Sequence, residues 1–255
     1  MTMDLYLIPI YILIFTFGIV IGSFLNVCII RIPLGQSIVH QSSHCMSCQK
    51  KLHWYELIPV FSWLVLKGKC SGCHTPISIQ YPLVEAANGL LWLVVFLRYG
   101  FTANTVLGCL LVSVLMVASV IDERTKELPL VTTTSVAILG VVRLLIYPQY
   151  IKTGIFGMLA VGGFLLILLI LSGGSAIGGG DVKLMAGSGL FLGLKLNILA
   201  FLLGCVIGSF IHIIRMKFFN AGRELAMGPY LAAGIVLAFL YGNGIIDWYM
   251  GLFIL

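Results

Sequence analysis

The sequence predicts an all-α, polytopic membrane protein of about eight transmembrane helices with a small cytoplasmic insertion that binds zinc. Hydrophobic residues make up 60% of the 255 residues and charged residues only 9%, whereas about 25% of a soluble domain is charged. Several apolar stretches approach the roughly 20 residues that cross a bilayer. These observations exclude soluble, disordered and fibrous classes, because so few charges could not cover a water-facing surface.

The apolar stretches give the predicted spans in chain order. The sixth is short and rich in glycine, so seven or eight spans fit, and we expect eight. The first stretch has no basic region before it, so we expect a membrane helix there and not a cleavable signal. The spans are predicted at about 7–30, 82–98, 104–121, 131–147, 154–172, 183–194, 196–216 and 228–247.

One polar stretch, between the first and second spans, is long enough to form a domain outside the bilayer. We therefore divide the chain into a first transmembrane helix at 1–30, a zinc-binding insertion at 31–81 and a transmembrane core at 82–255. With the insertion in the cytoplasm, eleven Lys and Arg lie on that side and three on the other. The positive-inside rule then predicts this orientation. The net charge of +6 is scattered, so we expect no nucleic-acid partner.

Two pairs of cysteines in the insertion indicate a metal site. Cys45 and Cys48 form one C-x-x-C pair, and Cys70 and Cys73 form the other. Each pair suits a tight turn that directs two thiolates at one ion, and four thiolates complete a closed, structural zinc site. A disulfide is the alternative, but a reducing cytoplasm disfavours it. Four nearby lysines are expected to contact anionic lipid headgroups, namely Lys50, Lys51, Lys67 and Lys69.

Two carboxylates stand out as candidates for catalysis. The chain has no H-E-x-x-H or G-x-S-x-G motif, which argues against a zinc protease and a serine hydrolase. Asp122 directly follows an apolar span, and Asp181 follows three glycines, Gly178–Gly180. Both are predicted at the cytoplasmic ends of their spans, where two close carboxylates would share a proton, as in aspartyl proteolysis. Helix capping by an Asp and helix packing by the glycines are the structural alternatives.

The Gly178-Gly179-Gly180-Asp181 sequence matches the G-x-G-D motif of intramembrane aspartyl proteases, and the chain resembles the bacterial type IV prepilin peptidases, also called leader peptidase/N-methyltransferases. The matching segments follow the family's order from residue 22 to residue 232. They are Gly22-Ser23-Phe24-Leu25-Asn26-Val27 with Arg31 and Pro33, the four paired cysteines, Glu56-Leu57-Ile58-Pro59, Gly68-Lys69-Cys70, Tyr81-Pro82-Leu83-Val84-Glu85, Ile121-Asp122, Gly180-Asp181-Val182-Lys183-Leu184 and Gly228-Pro229-Tyr230-Leu231-Ala232.

The resemblance implies two activities at the cytoplasmic membrane of a bacterium. The peptidase removes a short basic leader from prepilins or pseudopilins after a Gly. The second activity then methylates the new N-terminal residue, commonly Phe, with S-adenosylmethionine as methyl donor. Such substrates serve type IV pili, type II secretion and DNA uptake. The partners are therefore the substrate and membrane lipid.

The resemblance also assigns residues. Asp122 and Asp181 match the catalytic aspartates, while Gly68 and Lys69 match positions associated with methylation. Glu85 is a weaker candidate for methylation, since it could equally be a helix-start carboxylate or an ion-pair partner. The residues expected to support the catalytic loop are Gly178, Gly180 and Lys183.

One departure and three alternatives stay open at this point. Leu130 stands where the family often carries an Asp after the Pro, which puts a supporting role of that carboxylate in doubt. The first alternative is a peptidase without methyltransferase activity, like the preflagellin peptidases. The second is a small proton-coupled transporter in which Asp122 and Asp181 relay protons. The third is a scaffold whose zinc domain docks cytoplasmic partners.

Overall fold

The computed structural model of the chain describes residues 7–39, 43–174, 177–219 and 225–252. These residues contain no β-strand, only two isolated β-bridges within the insertion. The helices are α1 Ile8–Arg31, α2 Phe61–Val65, α3 Gln80–Tyr99, α4 Ala103–Thr125, α5 Leu130–Ile146, α6 Ile151–Gly157, α7 Gly163–Leu171, α8 Gly179–Leu192, α9 Leu194–Phe219 and α10 Gly228–Gly251. Two 3-10 turns, Trp54–Leu57 and Pro148–Tyr150, and a π-helical turn, Met158–Gly162, complete the elements.

Six helical segments among the described residues are long and apolar enough to cross a membrane: α1, α3, α4, Pro148–Leu171, most of α9, and α10. The all-α membrane architecture is therefore confirmed. The count of eight spans is not confirmed, since α5 is a shorter apolar helix. The predicted span at 183–194 falls in α8, whose 14 residues extend only about 21 Å, less than the hydrocarbon thickness.

The chain divides into two compact units, Met1–Ser113 and Val114–Leu255. The first unit holds α1, the insertion, α3 and the beginning of α4. The second holds the rest of α4 and all helices from α5 onward. The division at 1–30, 31–81 and 82–255 stays a prediction.

In the N-terminal unit, α1 and α3 pack closely and run in opposite directions. A Cβ atom added at Gly18 would lie 2.8 Å from the Cα of Gly89, and one at Gly22 would lie 2.7 Å from the Cα of Glu85. Small residues thus let the two backbones approach, as is common between membrane helices. Asn26 on α1 donates from Nδ2 to the carbonyl of Tyr81 on α3 at 3.1 Å, and this bond joins the two helices.

In the C-terminal unit, α8 lies at the centre of the packing. Its glycines contact backbone on two neighbours: a Cβ at Gly189 would lie 2.4 Å from the carbonyl carbon of Gly157, and one at Gly187 would lie 2.9 Å from the nitrogen of Ala137. The buried amide of Asn197 donates to the carbonyl of Gly157 at 3.0 Å. Since Gly157 immediately precedes the π-helical turn, this bond satisfies a carbonyl where the regular helical pattern changes.

Candidate active site and cysteine cluster

The two cysteine pairs of the insertion adopt the same local fold twice. The amide of Cys45 donates to the carbonyl of Lys50, and the amide of Cys70 donates to the carbonyl of Thr75, both at 2.9 Å. The fourth residue after each first cysteine has positive φ, at Gln49 (59°) and at His74 (57°). Both pairs therefore lie in equivalent tight turns that direct their thiols to one side.

The four sulfur atoms converge on one point. The Sγ atoms of Cys45, Cys48, Cys70 and Cys73 all lie within 4.8 Å of one another, and those of Cys45 and Cys73 are 3.8 Å apart. A tetrahedral zinc site with Zn–S bonds of about 2.3 Å has sulfur–sulfur edges of about 3.8 Å. The side-chain hydroxyl of Thr75, followed by its backbone, lowers the pKa of Cys73 to about 6. The cluster thus has the ligand type, number and spacing of a closed four-thiolate site.

A polar cluster that the sequence analysis did not anticipate joins the two cysteine turns. Lys50 Nζ lies 3.1 Å from Glu56 Oε1 and donates to Ser71 Oγ at 2.7 Å, while the Ser71 hydroxyl donates to Glu56. The amide of His53 donates to Glu56 Oε2 at 2.8 Å. This bond, followed by those of Ser71 and Lys50, lowers the pKa of Glu56 to about 2. Glu56 therefore stays ionised at neutral pH and links residues beside both turns.

The candidate methylation residues lie in different surroundings. Gly68 has φ +68° and is packed so closely on Trp63 that an added Cβ would lie 2.8 Å from the indole ring, whereas Lys69 is exposed. Glu85, on α3, is 6% exposed, and its Oε2 accepts the amide of Val60 at 2.7 Å. Glu85 therefore anchors the insertion to α3 through this hydrogen bond. A role of Glu85 in methyl transfer stays a prediction.

The two candidate catalytic aspartates belong to the C-terminal unit. Asp122 lies near the end of α4 and is 5% exposed, while Asp181 lies in the first turn of α8 and is half-buried. The Asp122 charge acts electrostatically on Asp181, so the structure brings together two carboxylates that are 59 residues apart in the sequence. Such a pair favours one shared proton.

The loop residues predicted to support this pair have distinct contacts. Gly178 is the extended N-cap of α8, and its carbonyl accepts the Asp181 amide at 3.1 Å. Gly180 packs against Leu128, since an added Cβ would lie 2.7 Å from the Leu128 Cβ. Lys183 is exposed and lines a small, mainly apolar cavity with Thr133 and Thr134. Leu130, at the family's variable position, is exposed at the start of α5.

One contact of the acidic pair was not assigned from the sequence. The backbone amide of Gly228, at the first turn of α10, donates to Asp122 Oδ2 at 2.8 Å. A Cβ at this position would lie 2.7 Å from the same oxygen, so glycine is needed for the close approach. The Gly228-Pro229 pair in the sequence indicates a helix start. It does not show that the Gly228 amide bonds to Asp122, which lies 106 residues earlier in the chain.

Apolar spanning helices, a buried acidic pair and a cysteine cluster define a polytopic membrane peptidase of the aspartic type. Comparison with known protein families supports this class. Residues 16–99 match the bacterial peptidase A24 N-terminal domain, and residues 109–213 match the type IV leader peptidase family. The first match lies within the N-terminal unit, and all but the first five residues of the second match lie in the C-terminal unit.

Individual relatives extend the similarity over nearly the whole chain. A prepilin leader peptidase/N-methyltransferase of Bacillus subtilis is 32% identical over 93% of this chain and 97% of its own length. The Xanthomonas campestris protein of the same name is 34% identical over 91% of this chain and 92% of its own length. That of Myxococcus xanthus is 40% identical over 70% of this chain and 55% of its own length. No solved structure shows a significant match. The chain belongs to the prepilin leader peptidase/N-methyltransferase family, and the expected enzyme class is confirmed.

Proposed function

We propose that Asp122 and Asp181 carry out leader cleavage, and that the insertion supports methylation of the product. The substrates would be prepilins or pseudopilins, cut after a Gly at the cytoplasmic face of the bacterial inner membrane. The relatives' shared name supports the substrate class and both activities. The observation that carries the catalytic assignment is the interacting, buried acidic pair at the ends of α4 and α8.

The pair supplies both a base and an acid. The ionised carboxylate removes a proton from water as the water oxygen attacks the scissile carbonyl carbon. The protonated carboxyl donates its proton to the carbonyl oxygen, which gives a tetrahedral diol. Collapse of the diol breaks the C–N bond and releases the amine, which takes up a proton.

We assign the ionised form to Asp122 and the protonated form to Asp181. The amide of Gly228 donates directly to Asp122 Oδ2, and a hydrogen bond to the charged form favours ionisation. The nearby cation of Lys126 acts on Asp122 in the same sense. Asp122 therefore serves as the base toward water.

The location of the pair suits an amphiphilic substrate. A prepilin has a basic leader, a cleavage site and then an apolar helix, so its helix can lie in the bilayer while its leader stays in the cytoplasm. The scissile bond then lies at the depth of a helix end, where Asp122 is found on α4. Binding of the remote apolar helix would orient that bond toward the acidic pair.

The four cysteines fit a structural zinc ion. Their sulfur spacing matches a tetrahedral site, and four thiolates leave no coordination position open for water. Bound zinc would hold the two cysteine turns together and supply no catalytic step. When bound, S-adenosylmethionine would supply the methyl group to the freed amine as a sulfonium electrophile. Lys69 is the exposed candidate residue for this step.

The test is cleavage of a purified prepilin by the full chain in detergent or liposomes. Asp122→Asn and Asp181→Asn should each lower the rate by two to four orders of magnitude, about the contribution of general acid–base catalysis. Glu127→Gln is the matched control, because Glu127 is an exposed carboxylate in the loop after α4. Substantial cleavage by either Asp variant would refute the assignment.

A further inference from the structure

The insertion carries an apolar surface that its own fold does not cover. Five neighbouring side chains between 40% and 62% exposed form this surface, which we call the insertion ridge: Leu57, Ile58, Phe61, Leu64 and Val65. The three ridge residues on α2 have i, i+3, i+4 spacing and share one helix face. Trp63 faces the other way and donates from its indole to the carbonyl of Ile77 at 3.1 Å.

Both sides of α2 are therefore apolar. The side with Trp63 packs on the insertion, where Gly68 lies against the indole ring. The opposite side, with Phe61, Leu64 and Val65, is left exposed. A contiguous exposed apolar patch of this kind marks an interaction site.

A buried hydrogen bond fixes the depth of the ridge relative to two membrane-spanning helices. The amide of Val60, directly before α2, donates to Glu85 Oε2 at 2.7 Å, and the Ser23 side chain also hydrogen-bonds to Glu85. Glu85 lies five residues after the start of α3 and Ser23 eight residues before the end of α1. At 1.5 Å per residue, these positions are about 8 and 12 Å inside the helix ends. The start of α2 is thus held at a level inside the ends of α1 and α3 and not beyond them.

The residues around the ridge have the composition of a membrane interface. Trp54 and Tyr55, in the 3-10 turn before the ridge, are 78% and 52% exposed, and such aromatic residues are enriched where headgroups meet acyl chains. Lys67, two residues after the ridge ends, is exposed, as are Lys51 and Lys69. Cations beside an apolar surface are complementary to anionic headgroups.

We propose that the insertion ridge lies in the membrane interface, with its apolar side chains among the upper acyl chains and Lys67 among anionic headgroups. The occupant of the surface is therefore lipid. The depth set by Glu85, the continuity with α1 and α3, and the aromatic and basic flanks all favour lipid over a water-soluble partner. The insertion would then be attached to the bilayer by its own surface as well as by its two chain connections.

Site-specific photocrosslinking in bacterial membranes tests this proposal on the full chain. The photoreactive residue p-benzoylphenylalanine replaces Leu64 in one variant and Phe61 in a second, so that a folding failure at one position does not remove the test. Met46, 66% exposed in the first cysteine turn, and Phe210, 66% exposed on α9, are replaced as matched controls. Variants that keep the wild-type size-exclusion profile are irradiated, and their intact masses are measured.

The ridge positions should give adducts one phospholipid heavier, with yields comparable to Phe210 and at least tenfold above Met46. Adducts with a second copy of the chain or with a pilin substrate at the ridge, or no adduct while Phe210 reacts, would overturn the proposal. Because this readout needs neither cleavage nor methylation, its failure would leave the catalytic assignment intact.

A second arm tests the headgroup contact. In nanodiscs that mix phosphatidylglycerol with phosphatidylcholine, adducts at position 64 should be enriched in phosphatidylglycerol. Lys67→Gln should lower this enrichment by about fivefold, the contribution expected of one lysine near a charged surface. Equal enrichment with and without Lys67 would overturn its assignment to headgroups.

Discussion

The candidate site of the N-terminal unit forms from local turns, and that of the C-terminal unit forms from residues distant in the sequence. In the N-terminal unit, four cysteines come from two short turns that repeat one local hydrogen-bond pattern. In the C-terminal unit, Asp122, Asp181 and the amide of Gly228 come from the ends of three helices spread over 106 residues. The first site depends on local turns, whereas the second depends on how helices pack.

This difference implies that the two activities respond to different kinds of change. A substitution that shifts one helix end would affect the acidic pair, because catalysis depends on sub-ångström placement. A substitution in the insertion would affect metal retention and methylation. The division of labour between units is our proposal, and separate assays of cleavage and methylation test it. Methylation is assayed on a pilin whose leader has already been removed, so that loss of cleavage does not mask it.

Outside the acidic pair itself, the largest effect on cleavage is expected at Gly228. Gly228→Ala adds a Cβ 2.7 Å from Asp122 Oδ2, so the carboxylate must move and its bond to the backbone amide is weakened. A displacement of about 1 Å costs roughly 100-fold in rate, and we expect that loss in the cleavage rate with methylation retained. Gly244→Ala on the same helix is the control, since nothing lies within 4 Å of its added Cβ. Equal rates for the two variants would contradict the role of Gly228.

The next effect concerns the metal. Cys45→Ser should lower the zinc content from one ion per chain to almost none, because three thiolates no longer close the site. Metal content is measured by inductively coupled plasma mass spectrometry on purified protein. Cys109→Ser, a buried cysteine of α4 outside the cluster, should retain zinc. We expect methylation to fall more than cleavage in Cys45→Ser, and unchanged zinc would refute the four-cysteine site.

A smaller effect is expected at Lys69. Lys69→Ala should lower the methylation rate about tenfold or more, with cleavage changed less than twofold, if this exposed cation contacts the methyl donor or the substrate. Lys152→Ala, at an exposed lysine of α6 outside the insertion, should leave methylation near the wild-type rate. Equal losses of both activities in Lys69→Ala would argue against separate sites.

The smallest effect depends on pH. Since the pKa of Glu56 is lowered to about 2 from its ordinary value of 4.5, its ionised form stabilises the folded insertion. This stabilisation is present in full above about pH 4.5 and is lost as the pH falls toward 2. Glu56→Gln should therefore lower hydrogen-exchange protection of residues 43–79 severalfold at pH 6, and the difference from wild type should shrink as the pH falls. A constant difference across this range would exclude ionisation as the cause.

Much of the fold and site followed from the sequence because the signals were local or compositional. The membrane class follows from the shortage of charge, and the cysteine cluster follows from two C-x-x-C pairs whose spacing specifies a turn. Asp122 and Asp181 were identified because ionisable residues at the ends of apolar helices are rare. Their roles in catalysis stay a prediction, which is supported by the action of the Asp122 charge on Asp181.

Other features depend on tertiary contacts that no local pattern encodes. The sequence of α8 is apolar, so it resembles a membrane span. The structure shows a helix of 14 residues, which is too short to cross the bilayer. The bond from Gly228 to Asp122 and the bond from Val60 to Glu85 each join distant segments through a backbone amide. Every residue except proline carries the same backbone N–H donor, so the sequence cannot show which carboxylate a given amide contacts.

The most direct test of the account is the intact mass of a prepilin co-expressed with the wild-type chain, with Asp181→Asn and with Lys69→Ala. With the wild-type chain, we expect the pilin to lose its leader and gain one methyl group. With Asp181→Asn, we expect an unprocessed substrate, and with Lys69→Ala, a cleaved but largely unmethylated product. A processed and methylated product with Asp181→Asn would contradict the central claim that the acidic pair of the C-terminal unit performs the cleavage.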